Sequence, residues 1–393
     1  MLNHTNIFHE KKIQINPQII EFSNLKEQEK YYEIWEVANF LYVLLCPELS
    51  EKYFWEINEF NNFEHFKEWL NRKNYRIFDE EYIEAILLKK KLLKKYEGVS
   101  LEDYFDGQIV DIKGTQCYFL ETEQGITPIK IDYDLAKQSI LNDLKLIKGI
   151  GPYKEKKFKS KKMDTIENLI SHEKYGKEAF EVLDYFGTKN YAALADWLGK
   201  KTTVAKTHPA VITISQFLEN QFVFLDIENL GFPDLPIVLI GIGKVRDNKL
   251  IIKQFLVREP EEEVAVLHAL MNELNEDNVL VTFNGLSFDV PVINVRLEKK
   301  DIIGKITHRH YDLLWFSRRA WKGILPNCRL PTIEKEILKL KRKNDIPSYM
   351  VPEFYYEYLE SNNIGPLIPI IQHNVTDITT LYDLYKVLKD ILI

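Results

Sequence analysis

Residues 221–231 read QFVFLDIENLG, and the reading of this stretch decides the rest. QFVFL is an apolar run of strand length, with two phenylalanines and a valine, and it predicts a buried strand. Asp226 and Glu228 stand at its C-terminal end, two residues apart. Side chains at i and i+2 of a strand point to the same face, so both carboxylates project into one place. One acid at a strand end can be structural. Two on one face repel strongly unless a cation sits between them.

Moving outward, PIVLIGIGKV (236–245) and LIIKQFLV (250–257) predict two further strands of a meander, and Glu261 to Asn275 predicts a helix. The apolar NVLVTF (278–283) then runs into Asn284-Gly285-Leu286-Ser287-Phe288-Asp289, where glycine permits a sharp exit from a strand. A helix starts nearby, so Asp289 either serves the same site as Asp226 or caps that helix. Residues 366–392 predict one long helix containing HNVTDITTLYDLY, in which His373 and Asp377 are four apart and share a face. Between them lies HRHYDLLWFSRRAW (308–321), where Arg318 and Arg319 could hold a phosphate or form surface ion pairs. Asp312 is either a further acid near the site or a capping residue, and Trp315 and Trp321 are read as core.

Three strands followed by a helix is the opening of the ribonuclease H fold. DIE, NGLSFD and HNVTD, in this order and spacing, resemble the three motifs of the DEDD 3′–5′ exonuclease superfamily, and the segment from about 221 to 388 is similar to its YprB-type ribonuclease H-like domains. The resemblance implies an α/β fold, a mixed sheet flanked by helices. It implies Asp226, Glu228, Asp289 and Asp377 as metal-site carboxylates, two Mg²⁺ or Mn²⁺ ions as cofactors, and His373 as general base. The chain departs from the histidine-type branch at one point: His373 precedes the last aspartate by four positions rather than five. The chemistry suits the donor set, because two hard divalent cations bound by oxygens can activate a water and neutralise both attacking and leaving oxygens of a phosphodiester. The expected activity is metal-dependent 3′–5′ exonucleolytic hydrolysis. A structure-selective endonuclease of the same fold and a non-catalytic nucleic-acid scaffold are the competing readings.

Upstream, LKLIKGIGPYKEKKFKSKKMDTIENLIS (144–171) predicts helix, tight glycine turn, helix and a further helix. Gly149 and Gly151 free backbone N–H groups of side-chain cover, and Pro152 suits a first helical turn. Lys145, Lys148, Lys154, Lys156, Lys157, Lys159, Lys161 and Lys162 surround Glu155, a local reversal in a chain of net charge −7. The segment resembles a helix-hairpin-helix, which implies contact of Gly149, Gly151, Lys148, Lys154, Lys156 and Lys157 with nucleic-acid phosphates, joined by Asn284, Arg318 and Arg319 nearer the chemistry. The alternative is a solvated lysine-rich helix after an ordinary glycine turn.

The 393 residues, 45% hydrophobic and 28% charged, allow two or three soluble domains. The expected division is a helical region over 1–100, a β-hairpin with the helix-hairpin-helix over 101–200, and the ribonuclease H-like domain over 215–393. The hairpin is placed at QIVDI and CYFLE about Lys113-Gly114-Thr115, and a helix at about 135–147. Lys200 to Ile214, rich in threonine and lysine, reads as a linker. In the first region, Trp35, Phe40, Trp55 and Trp69 are read as helix core, and this region is the candidate for a protein partner. Three scattered cysteines match neither a disulfide framework nor a zinc spacing. The longest apolar stretch is far below the roughly 20 residues of a membrane span. The expectation is a cytoplasmic protein with no membrane partner, acting on DNA or RNA that is single-stranded or has a free 3′ end.

Overall fold

The computed structural model describes residues 80–201, 207–231 and 234–392, with side chains from Glu84 onward. The aromatic residues expected as core in the first region, Trp35 to Trp69, lie outside the described residues. The chain divides into two compact units, Met1–Leu87 and Leu88–Ile393. Of the first, only the opening turns of helix α1 (Glu80–Lys95) are described.

The centre of the second unit is a seven-stranded sheet in the order β1-β2-β5-β4-β3-β6-β7. The strands are β1 Gly107–Ile112, β2 Thr115–Gly125, β3 Phe222–Asn229, β4 Ile237–Arg246, β5 Lys249–Leu256, β6 Val279–Thr282 and β7 Arg309–Asp312. β3, β4 and β5 form the expected antiparallel meander, while β6 and β7 run parallel to β3. Hairpins β1–β2 and β4–β5 both close on two residues of positive φ, Lys113-Gly114 and Asp247-Asn248. That is the turn whose twist matches paired strands.

The helices are α2 Tyr133–Leu141, α3 Pro152–Lys159, α4 Gly176–Gly187, α5 Tyr191–Gly199, α6 Pro209–Ser215, α7 Glu263–Glu273, α8 Asp289–Lys299, α9 Leu313–Trp321, α10 Val351–Ser361 and α11 Leu367–Leu392. α11 crosses β3, β4 and β5 on one face, and α7 lies against β1, β2, β4 and β5. Alternation along β3 decides which residues meet α11. Phe222 packs edge-on to Tyr385, and Phe224 to Tyr382. Asp226 and Glu228 continue that same face toward the earlier turns of α11, because helix and strand run in opposite directions.

Three expectations change. The hairpin does not stand apart from the ribonuclease H-like sheet, since β2 pairs with β5 over eight residues from Tyr118↔Leu256 to Gly125↔Lys249. The linker expected over 200–214 ends in α6, with Pro209 at its first turn and Ile212, Thr213, Ile214 and Ser215 buried. Ile212 belongs to the core under the sheet, while Ala210 and Ile214 belong to the core of the upstream helices. The helix expected near 135–147 stops at Leu141. Asp143 then caps a short 3-10 turn, Leu144–Leu146.

Candidate active site

Asp226, Glu228, Asn284, Asp289, Arg318, Arg342, His373 and Asp377 all line one open cleft of ≈ 1010 Å³. Five separate segments supply them: the end of β3, the turn that leads into α8, α9, the stretch before α10 and the first half of α11. Asp289 is the first residue of α8 rather than its cap, and its Oδ1 accepts from the backbone N–H of Ile227 at 3.2 Å, which ties α8 to β3. His373 and Asp377 share a face of α11 as their spacing requires, with Nε2 of His373 3.7 Å from Asp377 and 3.9 Å from Glu228.

The orientation of Asp226 comes from a residue that spacing does not single out. Asn374 Nδ2 donates to Asp226 Oδ2 at 2.8 Å and to its backbone carbonyl at 3.1 Å, while Gln254 Nε2 donates to Asn374 Oδ1 at 2.9 Å. Gln254 and Asn374 are buried, so they hold the half-buried Asp226 carboxylate in a defined orientation. Gly241, opposite Asp226 in the β3–β4 register, makes room for it, because a Cβ there would overlap the Asn374 amide.

A second network comes from the stretch between Glu334 and Ser348. Arg342 donates to both carboxylate oxygens of Glu334 at 2.5 and 2.7 Å, to Asp345 at 3.2 Å, and to Asp377. Asp345 accepts from His373 Nδ1 at 2.7 Å, which directs Nε2 toward Glu228 and Asp377. Nothing in the sequence pattern marks Glu334, Arg342 or Asp345. Their segment has no helical or strand period that would bring it to the cleft.

Electrostatically the cleft holds more negative charge than its surroundings neutralise. Burial, then Asp377, Glu228 and Asp289, push the Asp226 carboxyl well above its ordinary range. Burial pushes Glu228 up to about 8, with His373 opposing and Asp377 and Asp289 adding to the rise. Burial likewise raises Asp289 to about 7 against two backbone N–H bonds. Burial opposes charge on His373, but Asp377, Glu228 and Asp345 outweigh it and lift the ring to about 10. These carboxylates thus favour the protonated ring, which lacks the free lone pair that a general base requires.

Hard oxygens with unbalanced negative charge are the donor chemistry of Mg²⁺ and Mn²⁺. As the side chains lie, however, no group of three or more His, Cys, Asp or Glu among the described residues stands in metal-ligating geometry. The contacts explain this. One oxygen of Asp377 is taken by Arg342, one of Asp226 by Asn374 and one of Asp289 by the Ile227 amide. Asp312 is not a further acid of the cleft. Its carboxylate accepts from the N–H groups of Asn284, Leu286 and Leu314, and so fixes the NGLSFD turn to α9. Asn284 takes the positive φ of 67° that this turn demands.

Arg318 lines the cleft and Arg319 does not. Trp321 is buried as expected, but Trp315 is 42% exposed, with the Arg318 guanidinium 5.1 Å from its ring centroid. On a helix, positions 315, 318 and 319 share a face, and here that face is outward.

Upstream, Gly149 has φ +84° and Pro152 opens α3, as the turn predicts. The N–H of Lys148 is not free, since it donates to Glu178 Oε2 at 2.9 Å. Lys154 Nζ returns to the Gly149 carbonyl at 2.8 Å, and Lys145 pairs with Asp143 as well as Glu155. Asp143 and Glu155 thus offset part of the basic run. Lys156 and Lys157 stay exposed, and no ion pair of theirs is found among the described residues.

Residues 223–389 match the family model described as the RNase H superfamily. The uncharacterized protein YprB of Bacillus subtilis (strain 168) is 32% identical over 172 residues, 42% of this chain and 41% of that protein. The chain thus spans less than half the length of this relative. Among the described residues no helix is long and apolar enough to cross a membrane.

Proposed function

We propose that the chain, whose residues 223–389 match the family model described as the RNase H superfamily, is a metal-dependent nuclease, a 3′–5′ exonuclease acting on a nucleic-acid strand. The observation that carries the reading is the convergence of Asp226, Glu228, Asp289, His373 and Asp377 from distant segments on one open cleft. A purely structural role would leave these acids paired. Instead Glu228 and Asp289 are buried, and Asp226 half-buried, among like charges at a cost to the fold.

In this reading Asp226, Glu228, Asp289 and Asp377 hold two Mg²⁺ or Mn²⁺ ions. When bound, the ions supply an activated water and neutralise charge on the phosphodiester oxygens. The residues of the chain do the rest. Asn374 and Gln254 hold Asp226 in place, Asp345 keeps His373 Nε2 directed at the carboxylates, and Arg318 at the rim meets the strand's phosphates. Arg342 meets only Oδ1 of Asp377, which leaves Oδ2 for a metal ion. His373 accepts a proton only once the carboxylates facing it are otherwise neutralised.

The test is degradation of 5′-labelled and 3′-labelled DNA and RNA in Mg²⁺ or Mn²⁺, with circular single-stranded DNA beside them. The expected result is stepwise loss from 3′ ends, survival of the circle and no cleavage by Asp226→Ala with its near-UV dichroism unchanged. Cleaved circles would favour an endonuclease. Full activity of Asp226→Ala would end the proposal.

A further inference from the structure

We propose that a groove beside the cleft binds the flanking nucleotides of a single-stranded nucleic acid, with one base stacked on Trp315. The choice of occupant rests on the nuclease reading; the groove does not. It has a volume of ≈ 690 Å³ and lies between the end of α5, the NGLSFD turn and the first turns of α9. Its lining includes Leu286, Trp315, Lys200 and Lys201. Leu286 is 43% and Trp315 42% exposed, whereas Leu314 and Phe316 beside Trp315 are buried. An indole on the outward face of an otherwise well-packed helix gains nothing for the core.

The charges around it fit a polyanion with planar bases. Lys201 is committed to Glu178 and lies over the Trp197 ring at 4.0 Å, and Arg309 is committed to Asp196 at 3.0 Å. Lys200, Arg318 and Arg319 are exposed, and none of them has a carboxylate partner in an ion pair among the described residues. Arg318 and Arg319 stand three and four positions after Trp315, so cations flank the ring on one helix face. Apolar planar surface ringed by unpaired cations is how strands are held without sequence preference: bases stack while phosphates meet the charges.

The position is as informative as the chemistry. Asn284 lines the cleft and Leu286, two residues on, lines the groove. Arg318 lines the cleft, and the ring it covers lines the groove. The buried Asp312 carboxylate bonds Asn284, Leu286 and Leu314 together, so the two cavities share one rigid wall. A strand with its terminal nucleotide in the cleft would run its next nucleotides past Trp315.

The experiment measures binding rather than cleavage, by fluorescence anisotropy in chelator, using labelled oligothymidylate, oligouridylate and an abasic strand of equal length. Trp315→Ala should weaken thymidylate or uridylate binding roughly ten-fold, leave the abasic strand little affected, and be largely rescued by Trp315→Phe. The thymidylate and uridylate arms tell DNA from RNA. Should the alanine variant fail to fold, Trp315→Leu keeps apolar bulk without a full aromatic face and carries the same expectation. Unchanged affinity, or an equal loss on the abasic strand, overturns the inference. Binding that depends on Trp315 in a protein that never cleaves keeps the groove and removes the nuclease reading. Cleavage with Trp315-independent binding does the reverse.

Discussion

Asp226 is held by one amide and crowded by three carboxylates, and this imbalance has measurable consequences in the metal-free protein. Glu228 and Asp289 titrate at about 8 and about 7, against ordinary values of 4.5 and 3.8. The folded state therefore keeps protons that the unfolded chain has released. Their contribution to stability is complete below the ordinary carboxylate range and is lost as pH rises through the folded values. His373, lifted from 6.5 to about 10, extends the same loss into the alkaline range. Thermal unfolding in chelator should show Tm falling from about pH 5 to about pH 9, and saturating Mg²⁺ should flatten the fall. Asp226→Asn should raise metal-free stability by about 1–2 kcal/mol and abolish stabilisation by Mg²⁺. A lower Tm in that variant would contradict the charge argument. At this scale four residues of the cleft were legible together, because the strand period aligns Asp226 with Glu228 and the helix period aligns His373 with Asp377. Asn374 was hidden by being an ordinary amide beside a histidine. Arg342 and Asp345 were hidden because their segment has no period to follow. Trp315 was misread because an aromatic at helical spacing says nothing about which face is outward.

The elements tell a similar story with different failures. β3 to β6 and α11 were legible, being long apolar segments with a clear period. α6 was not, since seven residues reading PAVITIS are too short for a helical period and rich in β-branched side chains. Only its cap, His208, and Pro209 mark its start. The pairing partner of the β1–β2 hairpin could not be read either, because a strand's own sequence specifies its faces and not its neighbour. α7, α8 and β4 are joined by Glu263, which is fully buried, bonds Arg296 at 2.6 and 2.7 Å and accepts from the Ile237 amide at 2.9 Å. Glu263→Ala leaves the buried Arg296 guanidinium without its carboxylate and should cost about 3–5 kcal/mol in urea unfolding. The glycine turn before α3 belongs to this scale as well. Replacing Lys154, Lys156 and Lys157 by glutamate should weaken binding of a nucleic-acid strand and flatten its dependence on salt, in a titration of affinity against ionic strength. An unchanged slope would mean that Asp143 and Glu155 already balance this surface.

For residues 88–393 as a whole, the upstream helices and the sheet share α6. Ser215 and Tyr385 hydrogen-bond at 2.9 Å in the interior between them, and Tyr191 packs against both cores. Truncating one side of α6 should be felt on the other: Ile212→Ala should lower hydrogen-exchange protection in α4 as well as in α11. Loss confined to α11 would show that the two cores open independently. The β1–β2 hairpin adds a second dependence. Without β2, the backbone amides and carbonyls of β5 from Lys249 to Leu256 have nothing to pair with on that side. A fragment starting at residue 215 would expose a long, regular strand edge of this kind, the template on which sheets of separate molecules join. In sedimentation such a fragment should self-associate more strongly than the whole chain at equal concentration. The hairpin therefore acts as a guard of solubility, covering the eight-residue edge of β5 and leaving only the six-residue β1 at the rim.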